Sequence, residues 1–225
     1  MPSLVHAMAQ QARRPNGLFG RLFGLSMSRI NREANAWTLS QLGLAPYDDV
    51  LEIGYGPGQA IELLTEQITS GKIRGIDFSD TMLAQASSRN REAIARGQVE
   101  LSVGDAARLP YPDASFNKVF CVNVIYFWQN PREPLREILR VLRPGGQLAV
   151  YMGDAEEMAG VRITQTGVFR LYPARELMAM LDEVGFASAT HATSPISRAR
   201  CRVASACWRR NKPLARRTGA AARPR

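Results

Sequence analysis

Residues 50–60, VLEIGYGPGQA, decide the fold. The apolar VLEI reads as a buried strand, and QAIELLTEQI from Gln59 as a helix with Ile61, Leu64 and Ile68 on one face. Between them stand Gly54, Gly56 and Gly58, spaced two apart and directly behind Glu52. Glycine loses the most conformational freedom on folding, so it belongs where backbone must turn sharply or admit a ligand closely. Three glycines at a strand-to-helix junction turn backbone N–H groups and a helix N-terminus toward a small molecule. The spacing is not the dinucleotide G-x-G-x-x-G, and no G-K-[ST] closes a phosphate loop. A purely packing role for Gly54 and Gly58 is the competing reading.

Outward from this stretch, strands and helices alternate. KIRGIDF (72–78) is a second strand and 80–96 a helix stopped by Gly97. VELSVGD (99–105) alternates as a half-buried strand should, and NKVFCVNVIYF (117–127) is apolar enough to be central. NPREPLREILRVL (130–142) is a helix with Leu135, Ile138, Leu139 and Leu142 at core spacing, followed by an RPGG turn and the strand QLAVYM (147–152). Residues 173–184 form a helix with Leu177, Met180, Leu181 and Val184 inward, ended by Gly185. FASATHAT (186–193) and RCRVASACW (200–208) are strands joined by too short a link for a crossover helix, so one of them runs antiparallel. The pattern predicts an α/β protein with a mostly parallel, doubly wound sheet. Residues 1–40, with a helix over 29–42, and residues 152–172 fall outside the alternation.

The chain has 225 residues, 45% hydrophobic and 22% charged, enough for one well-buried α/β domain. No apolar run approaches the roughly 20 residues of a membrane span, and the start has too short an apolar core for a signal peptide. Three cysteines (Cys121, Cys201, Cys207) and two histidines (His6, His191) form no metal-ligand spacing, so no metal and a reduced, cytoplasmic setting are expected. Ten of the basic residues lie in 198–225, which holds no acid. The net charge of +9 is therefore a terminal feature, and 209–225 reads as a basic, disordered tail.

Two further acids follow strand ends. Asp77, nineteen residues after Gly58, can accept from both hydroxyls of a ribose, and Asp105 can accept from an exocyclic amine. Either acid alone also suits a cap or a turn. Together the three strand tips line the carboxyl edge of the sheet, where open α/β sheets bind ligands.

VLEIGYGPG (50–58), GIDFSDTML (75–83), GDAARLPYPDASFNKVF (104–120) and VLRPGGQLAV (141–150) together resemble the ordered motifs of class I S-adenosylmethionine-dependent methyltransferases, in the broad group that modifies quinones, lipids and small molecules. The resemblance covers about residues 27–208. It implies a Rossmann-like sheet of seven strands with the C-terminal strand antiparallel. It also implies S-adenosyl-L-methionine as cofactor and S-adenosyl-L-homocysteine as product. Carried over, Gly54, Tyr55, Gly56 and Gly58 would shape the methionine pocket, with Glu52 near the ligand's amino group. Asp77 would hold the ribose, Phe78 and Met82 would pack on the adenine, and Asp105 and Ala106 would meet its edge. Asn123 and Val124 would lie beside the sulfonium. Asn117 replaces the usual acid of that motif.

No catalytic base is assigned. Tyr126, Asp154, Tyr172 and His6 are possible acceptor contacts or bases, with Tyr126 preferred and Phe127 and Trp128 assigned to the core. Residues 1–40 are expected to form a helical lid with Met27, Asn31 and Asn35 on one face, Asn31 reaching the cofactor. Residues 41–208 form the methyltransferase domain, and 152–172 cover the pocket. NVIY (123–126) lacks the [DN]PP[YF] grip of amino-methylating DNA enzymes, and no basic or aromatic stripe marks an RNA binder. A small organic acceptor is the leading reading. The alternatives are a lipid or quinone headgroup, with membrane contact through the basic tail, and a non-catalytic cofactor-binding sensor or partner subunit.

Overall fold

The computed structural model describes residues 3–193 and 201–207, with the backbone alone described at 25–30, 157 and 201–207. The expected tail (209–225) and the side chain of Met27 therefore lie outside the described residues.

Five parallel strands form the body of the sheet: β1 (Val50–Ile53), β2 (Ile73–Asp77), β3 (Val99–Val103), β4 (Phe116–Val122) and β5 (Leu142–Gly153). β6 (Ser188–Thr193) and β7 (Cys201–Cys207) extend it in the order β3-β2-β1-β4-β5-β7-β6. β7 runs antiparallel to β5, from Gln147 opposite Cys207 to Gly153 opposite Cys201, and antiparallel to β6. The direction of winding reverses between β1 and β4, which leaves a crevice at their carboxyl ends.

Alternation along the strands feeds two cores. Val119 and Cys121 face the side covered by α6 (Arg132–Val141) and α8 (Ala174–Val184), through Leu135, Ile138, Leu177 and Leu181. Phe120 and Val122 face the opposite side, covered by α2 (Gly17–Ser40), α3 (Gln59–Gln67), α4 (Asp80–Arg89) and α5 (Arg91–Ala95). Among the described residues, no helix is long and apolar enough to cross a membrane.

Three local departures have physical causes. The helix expected over 80–96 breaks at Asn90, whose Nδ2 donates to the carbonyls of Gly58 and Ala86 instead of facing solvent. The RPGG turn lies within β5, where the register with β4 shifts between Phe116 and Lys118. The amino-terminal region holds two helices, α1 (Leu4–Arg13) and the 24-residue α2, rather than one over 29–42. Ser3 caps α1 by accepting from the His6 N–H. At the start of β4, Asn117 Oδ1 accepts from the Asp49 N–H and the Arg143 guanidinium, a role that needs an acceptor but no charge.

Candidate functional site

A cavity of about 610 Å³ opens at the carboxyl ends of β1–β4, beside the reversal point. Among the described residues its ionisable lining comprises four acids, Glu52, Asp77, Asp105 and Glu133, and one arginine, Arg13. That balance suits a ligand carrying positive charge.

The loop after β1 is built on left-handed backbone. Gly54, Gly56 and Gly58 have φ of 72°, 51° and 78°. A Cβ on Gly54 would come within 2.4 Å of Val124 Cγ2, so the β1 and β4 tips meet only because this side chain is missing. Gly56 lines the cavity and has no atom within 4 Å of where a Cβ would stand. Gly58 does not line it: a Cβ there would meet Ala86 and Asn90 at 2.7 Å, which makes Gly58 a packing glycine between α3 and α4. Tyr55 is buried, and its hydroxyl donates to the Ser102 carbonyl at 3.0 Å, tying the loop to β3.

Glu52 is 3% exposed, and its Oε2 has no hydrogen-bond partner among the described residues. Burial, and then the nearby Asp77 charge, push its carboxyl well above the ordinary range. Asp77 Oδ2 accepts from the Gly56 N–H at 2.9 Å and Oδ1 from the Ser79 N–H at 3.0 Å. Burial pushes Asp77 up to about 6, opposed by these backbone donors. Its carboxylate therefore links the glycine loop to the tip of β2. Phe78 and Met82 line the adjoining wall, and the Arg14 guanidinium lies 5.7 Å from the Phe78 ring centre. Asp105 and Ala106 follow, with Asp105 Oδ1 accepting from the Ala107 N–H at 2.9 Å.

At the tip of β4, Asn123 has φ of 58°, one of two described non-glycine residues in that region. Its Nδ2 donates to Asn31 Oδ1 and its Oδ1 accepts from the Tyr126 hydroxyl. Asn31, Asn35, Asn123 and Val124 all line the cavity. Asn35 Nδ2 donates to Gln59 Oε1 at 3.4 Å.

The proposed acceptor contacts fall elsewhere. Tyr126 is 3% exposed, its ring packs against Phe127 and Phe169, and its hydroxyl accepts from the Gly153 N–H. Tyr172 is buried, with its hydroxyl donating to the Trp128 carbonyl. Asp154 Oδ1 accepts from the Glu156 N–H at the start of α7 (Ala155–Ala159). Neither these three nor His6 line the cavity. Phe127 and Trp128, assigned from sequence to the core, are half-buried against it and also line the cavity, with Gln129, Asn130 and Glu133. Ala12 and Arg13, in the last turn of α1, and Pro15, between α1 and α2, complete the wall and carried no recognisable signal in the sequence.

A family model described as a methyltransferase domain matches residues 51–150. The uncharacterized methyltransferase YdaC of Bacillus subtilis is 32% identical over 143 residues, covering 64% of this chain and 77% of that protein. The 27-O-demethylrifamycin SV methyltransferase of Amycolatopsis mediterranei is 33% identical over 156 residues, and the chain spans 56% of its length. A SAM-dependent methyltransferase from Aquifex aeolicus shares the fold, with a TM-score of 0.67 and 22% identity over 80% of this chain and 92% of that one. This chain belongs to the class I S-adenosylmethionine-dependent methyltransferases.

Proposed function

We propose that the protein transfers a methyl group from S-adenosylmethionine to a small organic acceptor. The observation that carries this reading is the pairing of Glu52, buried with an unpartnered oxygen, and Asp77, held at the neighbouring strand tip. An orphaned carboxylate oxygen in a cavity wall calls for a donor from a ligand, and the amino group of a methionine moiety supplies one. Asp77 keeps lone pairs for ribose hydroxyls, while Phe78 and Met82 offer an apolar wall to a base. Gly54, Tyr55, Gly56, Asp105, Ala106, Asn123 and Val124 complete the cofactor side, with Asn31 reaching in from α2. Gly58 serves it indirectly, by packing.

The bound cofactor supplies an electrophilic methyl on a sulfonium sulfur. The chain's own task is then to align an acceptor in line with that methyl and to exclude water, an orientation effect that can supply roughly 7–11 kcal/mol. Phe127 and Trp128 present aromatic surface for a flat acceptor, and the α1–α2 pair covers the cavity as a lid, whereas no described residue of 152–172 lines it and Phe169 packs behind Phe127. The fold is read as the seven-stranded form with an antiparallel last strand, on the register between β5 and β7. A lipid or quinone headgroup is the second acceptor class, and the exposed face described below favours keeping it.

Calorimetry with S-adenosylmethionine, S-adenosylhomocysteine and NAD, followed by turnover of labelled donor against an acceptor panel, tests the proposal. Binding of the first two with methyl transfer is expected. Saturable binding without transfer to any acceptor would make the protein a sensor or partner subunit, and preference for NAD would overturn the reading.

A further inference from the structure

Charge is distributed unevenly along this chain. Residues 1–32 contain five arginines and no acid, and all 20 acidic residues lie between 33 and 197. Within that acid-free stretch the first turns of α2 have two unlike faces. Gly20 and Gly24 are turned inward: a Cβ on Gly20 would meet the Pro15 backbone at 2.8 Å, and one on Gly24 would meet Gln85 Oε1 at 2.3 Å. At 3.6 residues per turn, Leu18 and Leu22 fall opposite this glycine face, with Phe19 and Arg21 on its two flanks. Leu18 is 75% exposed, Leu22 60% and Phe19 51%. On α1, Leu4 and Met8, one turn apart, are also exposed.

We propose that this outward face of α2 docks on an anionic lipid bilayer. A helix that turns Leu and Phe to water, with arginine beside them and no acid on the segment, has the composition of an interfacial helix. Its apolar side chains enter the acyl boundary, while arginine stems lie along it and place their guanidinium groups among phosphates. An acid-free segment meets no repulsion at such a surface. The end of α1 and the connection to α2 also form part of the cavity wall, through Ala12 and Arg13 and through Pro15, so docking brings the cavity to the lipid. This inference goes beyond methyl transfer and does not depend on it.

The test uses the full chain and flotation with vesicles of phosphatidylcholine alone or mixed with phosphatidylglycerol. Binding to the anionic vesicles that weakens with added salt is expected. The combined L18Q/F19S/L22Q substitutions, at positions that do not line the cavity, should lower partitioning at least about tenfold. The C-terminal arginines are the same in both proteins, so the difference isolates the face. An unchanged circular dichroism spectrum and urea midpoint show that the variant is folded. Three results would overturn the proposal: no vesicle binding by the parent chain, equal binding by the variant, or a lipid-free dimer that the substitutions convert to monomer.

Discussion

Asn123 donates from Nδ2 to Asn31 Oδ1 across 3.0 Å, joining the tip of β4 to α2 over 92 residues of sequence. The donor sits at φ 58°, a conformation asparagine tolerates far better than alanine does. Asn123→Ala should therefore lower stability by about 1–2 kcal/mol in urea titrations. Asn123→Gly should recover only the backbone part of the loss, because glycine accepts that conformation while the tie to α2 stays broken. Asn31→Ala should alter the urea midpoint little yet speed amide exchange along residues 31–40, as α2 loses its anchor.

Glu52 lies buried with one oxygen unpaired. Glu52→Gln keeps the shape and removes the ability to ionise, so the donor-free protein should be as stable as the parent or more so. Affinity for S-adenosylmethionine should fall about tenfold or more with the loss of a charge-assisted hydrogen bond, as read by calorimetry. A fall in thermal stability with no change in affinity would assign Glu52 to loop packing.

The carboxyl of Asp77 titrates near 6 in the fold against an ordinary value of 3.8. Folding therefore favours the protonated form. The stabilising contribution is complete below about pH 4 and is lost as pH rises through about 6. Affinity for the donor should run the other way, rising through about pH 6 as the carboxylate becomes able to accept from two hydroxyls. Asp77→Asn should flatten both profiles near that pH, and Asp77→Ala should abolish donor binding while circular dichroism stays native.

Two separate penalties act at Gly54, a φ of 72° and the 2.4 Å approach to Val124. Gly54→Ala should cost about 2 kcal/mol or more in urea denaturation. Adding Val124→Ala removes the collision and leaves the backbone penalty, so the double variant should recover only part of the loss.

The strand tips were legible because their chemistry is local. Gly54, Glu52, Asp77 and Asp105 each stand at a strand end that apolar periodicity locates, and the parallel sheet follows from the same alternation. The wall beyond Asn123 was not legible. A strand pattern extended through Phe127 puts Tyr126 at the cavity, but Asn123 turns left-handed and Ile125–Phe127 form a 3-10 turn. That turn advances successive side chains by about a third of a revolution rather than half, burying Tyr126 and delivering Phe127 to the cavity. Pro15 and Arg13 were hidden for another reason. They meet the site only through tertiary packing, across 64 residues in the bond from Ser79 Oγ to the Pro15 carbonyl.

That serine hydroxyl divides its work between two neighbours. Its lone pair accepts from the Met82 N–H and finishes the start of α4, while its proton goes to Pro15. Should the bend at residues 14–16 swing aside, Ser79 can give its proton to water and still cap α4. Release at that point forfeits roughly 1 kcal/mol for the hydrogen bond, plus the modest pull of Arg14 on the Phe78 ring. The start of α4, which forms the cavity floor at Met82, is thus held independently of the bend packed over it.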